Sequence, residues 1–154
     1  MPTQEQVNDL LTRLAAVPQT IASIFGDHSD AELTAQRDGE WSAAEVLAHL
    51  RAADDIQAYR AYAILVRDDA PLPAFDERRW AEVVGYAALP VRETLAVYAG
   101  KRGELAAMLR RATPEQWDRT CLHETRGAVT LWDQVTNLVE HEEEHFDQLR
   151  ALLA

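Results

Sequence analysis

Four stretches of this chain repeat their apolar residues every three or four positions, and no region alternates apolar with polar residues as a half-buried strand would. Between Thr3 and Phe25, the residues Val7, Leu10, Leu11, Leu14, Val17, Ile21 and Ile24 share one face, with Pro18 as the point where a helix should kink or stop. A second helix is expected from Trp41-Ser42-Ala43-Ala44-Glu45-Val46. There Ser42 and Glu45 form a capping box, and Trp41 and Val46 sit at the positions of a hydrophobic staple. It continues through Leu47, His49, Leu50, Ala53 and Ile56 to end near Arg67-Pro71. A third runs from Val91 to about Ala112, weakened at Gly100 and Gly103. The last opens at Thr130 and carries Leu131, Val135, Leu138, Glu142, His145, Leu149 and Leu152 on its inner stripe.

Four long helices and little else imply an all-α four-helix bundle, one domain over residues 1–154. Short helical turns are expected in the connections, at Ser29-Glu32, around Asp76 to Val84, and at Thr113-Pro114-Glu115-Gln116. The stretch from Asp68 to Pro90 is long enough to run back along a bundle and leave its flanking helices parallel.

With 47% hydrophobic residues in 154, the chain can bury a core without staples. Its single cysteine, Cys121, excludes an internal disulfide and a Cys-rich metal cluster, which fits a cytoplasmic setting. There is neither an apolar run of about 20 residues nor a basic, apolar leader, so a soluble, uncleaved protein is expected. A formal charge of −11, from 26 acidic against 15 basic side chains, argues against nucleic acid and anionic membrane surfaces as partners.

The run His141-Glu142-Glu143-Glu144-His145 places two imidazoles four residues apart, on one face of the last helix. His145 replaces an aliphatic residue on an apolar stripe, where an unpartnered imidazole would cost about 1–3 kcal/mol. His49 lies on the inward stripe of another helix, so a bundle would bring three imidazoles together. Three nitrogens with an open position suit a catalytic or substrate-binding divalent ion, and imidazole serves zinc, nickel, iron and copper alike. His28 and His123 lie in unpatterned segments and read as surface residues. The string also fits the H-E-x-x-H pattern of zinc proteases, with Glu142 as base. The residues after His145, Phe146 to Ala154, hold no His or Glu to complete that ligand set, so the intervening glutamates read as mostly solvated. Asp54, Glu142 and Gln148 are candidates to orient the imidazoles. Glu45, one turn before His49, is explained by capping.

Trp41-Ser42-Ala43-Ala44-Glu45-Val46-Leu47-Ala48-His49-Leu50 near one end, with Gly127-Ala128-Val129-Thr130-Leu131 leading to His141-x-x-x-His145-x-x-Gln148-Leu149 at the other, resembles the DinB/YfiT-like superfamily of metal-dependent enzymes over essentially the whole chain. The resemblance implies an up-down-down-up bundle, a divalent metal (commonly zinc or nickel) on His49, His141 and His145, and a homodimer. It also implies a small-molecule substrate and, in better understood relatives, a low-molecular-weight thiol cosubstrate used for S-transfer or isomerisation. The leading expectation is a metal-dependent enzyme, hydrolase or thiol transferase. The alternative is a non-catalytic metal-binding or ligand-binding bundle of the stress-response kind, whose ion braces the helices. A structural homodimer with merely buried histidines would bind no metal.

Overall fold

The computed structural model describes residues 1–37 and 39–154, and in it the four periodic stretches are helices α1 (Gln4–Phe25), α3 (Ala43–Val66), α5 (Val91–Leu109) and α7 (Leu131–Leu152). Between them lie the short helices α2 (Asp30–Thr34), α4 (Glu77–Val84) and α6 (Pro114–Trp117), a 3₁₀ turn at Tyr86–Ala88, and strands β1 (Pro71–Leu72), β2 (Thr120–His123) and β3 (Gly127–Thr130). The starts are set chemically. Thr3, Ser29, Ser42, Thr113 and Thr130 each close a reciprocal capping box with the residue three positions on.

Pro18 does not end α1; it is buried inside it. A proline has no N–H to give the carbonyl four residues earlier, here that of Leu14. That carbonyl instead accepts a hydrogen bond from Arg102 Nη1 on α5, at 3.2 Å. The gap in the helical ladder is thus filled from across the bundle.

The core has two apolar layers. One joins Val7, Leu10 and Leu14 of α1 to Ile64 of α3, Leu105 and Leu109 of α5, and Leu131, Val135 and Leu138 of α7. The other joins Val17, Ile21 and Phe25 to Val46, Leu47 and Leu50, to Leu95 and Tyr98, and to Leu149. The N-terminal half of α1 therefore lies level with the C-terminal halves of α3 and α5 and the N-terminal half of α7, which is an up-down-down-up bundle. Two parallel neighbours, α3 and α5, need a long return, and residues 67–90 supply it.

The three strands were not expected. Parallel pairing sets Leu72 beside His123, and antiparallel pairing sets Cys121 opposite Val129 and His123 opposite Gly127. The strands are so short that only two residues of β2, Cys121 and His123, turn inward, too few to show a period. His123 is accordingly buried, correcting the surface reading. Gly127, at φ 74°, makes the left-handed turn that lets β3 fold back and feed directly into α7.

Candidate metal centre

The run His141 to His145 points in four directions. Glu142 is fully buried, Glu143 makes a two-pronged bond to Arg13 of α1 at 3.0 and 2.7 Å, Glu144 is exposed, and the two histidines face α3. Glu142 is therefore not a solvated residue. It meets Arg102, accepting from Nη1 at 2.8 Å and from Nη2, and it accepts from the Tyr98 hydroxyl at 2.5 Å. Arg102 also binds Asp54 through Nε at 3.0 Å and Nη2 at 2.7 Å. This knot sits between the two apolar layers. Burial is the main reason that Asp54 titrates above the usual carboxylate range, and the repulsion of Glu142 adds to it against the pull of Arg102. The partners of Asp54 and Glu142 are Arg102 and Tyr98, not the histidines. Glu142 turns away from them, which removes it as the base of a protease motif.

The three histidines do meet. His49 Nε2 stands 3.1 Å from His141 Nε2, and His145 Nε2 stands 3.4 Å from the same atom, with every pair of ring centroids 5.0 Å apart. Bonds of about 2.0–2.1 Å to a tetrahedral ion would separate donor nitrogens by about 3.3–3.4 Å. Two edges of a ligand face thus already stand at nearly that length, and all three histidines offer ligand atoms within 4.8 Å of one another. Three lone pairs converging on one point repel unless a cation or a proton lies among them. Burial, reinforced by the neighbouring histidines and Arg78, lowers the His49 imidazole to about 4, so at neutral pH it holds its lone pair rather than a proton.

Orientation comes from around the rings. Gln148 Oε1 lies 2.6 Å from His145 Nδ1, and accepting that proton leaves the Nε2 lone pair aimed at the cluster. Trp41, just before the Ser42 cap, packs on the His49 ring with centroids 5.4 Å apart. Of the three groups read from the sequence as possible orienters, only Gln148 takes that place.

One acid was missed. Glu77, the first residue of α4, puts Oε2 3.9 Å from Nε2 of both His49 and His141. The only hint in the sequence is the pair Asp76-Glu77 at the start of a short helical patch, where Asp76 serves as the cap. Two cavities adjoin the histidines. One, of about 220 Å³, is lined by Trp41, Ala48, His49, Arg78 and Ala81 among others, and the second, of about 510 Å³, by Trp41, His49, Arg78, His145 and Gln148. Arg78 lies over the Trp41 ring, 4.5 Å from its centroid, where the two cavities share a wall.

The family model for the DinB superfamily matches residues 13–149. The chain belongs to that superfamily. Among relatives, an Oceanobacillus iheyensis protein named as a candidate metal-dependent hydrolase is 25% identical over 154 residues, covering 99% of this chain and 88% of its own length. Bacillus subtilis YfiT, also named as a candidate metal-dependent hydrolase, is 26% identical over 153 residues, with 97% and 85% covered. The solved structure of YfiT, described as having an unusual four-helix bundle topology, superposes with a TM-score of 0.87 over 99% of this chain and 88% of that one, at 24% identity. The mycothiol-dependent maleylpyruvate isomerase shares the fold at a TM-score of 0.74 and 14% identity, covering 97% of this chain but 61% of the isomerase.

Proposed function

We propose that this DinB-superfamily protein is a metal-dependent enzyme acting on a small molecule, with His49, His141 and His145 holding a divalent ion. The observation that carries this reading is the convergence of three imidazoles beside two cavities, with ligand atoms within 4.8 Å of one another and two of the nitrogen pairs at 3.1 and 3.4 Å. A divalent ion in such a site supplies Lewis acidity and favours the deprotonated form of a bound water or thiol. Glu77 is the acid best placed to receive that proton, either directly or through one water. Trp41 and the alanines of α3 and α4 would seat an apolar part of the substrate, and Arg78 would face a polar end. The nucleophile is water for hydrolysis, as the relatives' names suggest, or a low-molecular-weight thiol for S-transfer or isomerisation, as in the more distant isomerase. We extend the proposal to a cytoplasmic homodimer, which light scattering after gel filtration would check.

Elemental analysis of untagged protein tests the first half. About one first-row metal per chain is expected in the wild type and a large loss of metal in His49→Ala; equal metal content in the two would sink the assignment. Parallel screens of ester hydrolysis and thiol conjugation test the second half. Glu77→Gln should keep its metal but lose about 10²–10⁴-fold in the rate of the active reaction. Metal bound without turnover in either screen, together with a large stabilisation by the ion, would favour the bracing role instead.

A further inference from the structure

The side of α3 that carries His49 also carries Gln57 and Arg60, and the opposing face of α7 carries Gln134. Arg60 is only 5% exposed, yet among the described residues no carboxylate oxygen lies within 4 Å of its guanidinium. Its donors reach neutral oxygens, Nη2 the Pro73 carbonyl at 2.7 Å and Nη1 the Gln57 Oε1 at 3.4 Å, and its buried Nε has no partner among the described residues. A second cation closes the group. Arg126, exposed on the turn between β2 and β3, donates through Nη2 to Gln134 Oε1, and Gln134 Nε2 donates to Gln57 Oε1. The chain of bonds thus runs from one cation to another through two buried amides.

A buried cation without a counter-ion is costly, and the Arg102 knot shows how this same bundle treats one it means to keep: with two carboxylates. Burial and then the charge of Arg126 lower Arg60 against the weaker pull of Glu77, and burial with the charges of Arg60 and Arg126 lowers His123 in β2 against the pull of Glu124. The planar fork of an arginine with a free Nε–H fits a carboxylate or phosphate oxygen. Gln57 lies two helical turns beyond His49 on α3, and Gln134 two turns before His141 on α7, so roughly 10–12 Å separates the two groups along the seam.

We infer that Arg60 and Arg126, bridged by Gln57 and Gln134, form a binding site for a small anionic group, a carboxylate or a phosphate, on the α3–α7 seam below the three histidines. Arg126, on the surface, meets the anion from solvent and swings with it onto the unpartnered edge of Arg60. As the anchor for one end of a substrate or cosubstrate whose other end meets the metal, the site rests on the enzyme reading; as an anion site it stands without it.

The test titrates the full-length protein, as purified, with inorganic phosphate and separately with glutarate, holding ionic strength constant with sodium chloride. The arginine Nε–Hε resonances are followed by nitrogen-15 NMR. The Arg60 and Arg126 resonances should move saturably with at least one of the two anions, and the tighter binder names the anion class. Arg126→Gln, a surface change, should weaken that binding about tenfold or more. Arg60→Gln should abolish it, and Arg60→Lys should restore part of it. His141→Ala should leave it unchanged. No saturable shift with either anion, or undiminished binding in Arg126→Gln, overturns the inference. So does loss of binding in His141→Ala, which would put the anion at the histidines. Metal bound without anion binding defeats this inference alone, whereas anion binding in a protein that holds no metal defeats the enzyme reading alone.

Discussion

Two of the polar clusters in the bundle, one around Arg102 and one around His49, lie within a few turns of each other and are built on opposite plans. Around Arg102, 1% exposed, every strong donor has an acceptor: Asp54, Glu142, the Tyr98 hydroxyl and the carbonyl that Pro18 leaves free. Around His49 the partners are of one kind. Imidazole nitrogens face one another, the His49 Nδ1 has no partner, and two cavities open alongside. The first knot is complete as folded and joins all four helices. The second leaves imidazole nitrogens facing one another beside two cavities. The Arg102 cluster is buried and the histidines are only partly so. They differ further in whether the polar groups satisfy one another.

That contrast can be broken from either side. The largest expected effect is His141→Ala, which removes the nitrogen shared by both short contacts; it should cost at least about 10³-fold in metal affinity while leaving the chelated protein about as stable as chelated wild type. Metal titration and thermal melts in excess chelator check the two parts. A large loss of chelated stability would make the histidines scaffold after all. Next is Arg102→Ala, which strands two buried carboxylates and should lower unfolding free energy by about 3–5 kcal/mol in urea melts. Replacing Asp54, Arg102 and Glu142 together by apolar residues of similar volume should recover most of that loss. Gln148→Ala, which frees the His145 ring, should weaken metal binding by about 10–100-fold with little change in fold stability. The smallest effect is Ser42→Ala. Loss of the cap that starts α3 should cost about 1 kcal/mol and leave metal affinity within a few-fold, because His49 lies beyond the first turn.

Much of this was legible in the sequence, because helix starts and inward stripes are local properties. Ser42 and Glu45, Thr113 and Gln116, and the spacing from Leu131 to Leu152 name their elements without reference to anything distant. His49 and His145 were legible for the same reason, as imidazoles on inward stripes, and His141 by its spacing of four residues from His145. What was hidden depends on partners far along the chain. Glu142 stood correctly on the inner stripe, but its meaning lies in Arg102, 40 residues away. Glu77 belongs to a connection with no strong period, and β1 exists only because Leu72 finds His123. Arg60 looks like any other helix-surface arginine until the loop at Pro73 closes over it.

The up-down-down-up order has an evolutionary corollary. Parallel α3 and α5 oblige the chain to carry a long crossover, residues 67–90, and that crossover lays Glu77, Arg78 and the Pro73 carbonyl against the seam where the histidines and Arg60 lie. The helices can hold their ligands and packing fixed while this segment changes in length and composition. Chemistry would then diversify within the superfamily by rewriting the crossover, and a chimera carrying a relative's crossover on this bundle should keep its metal and exchange its substrate.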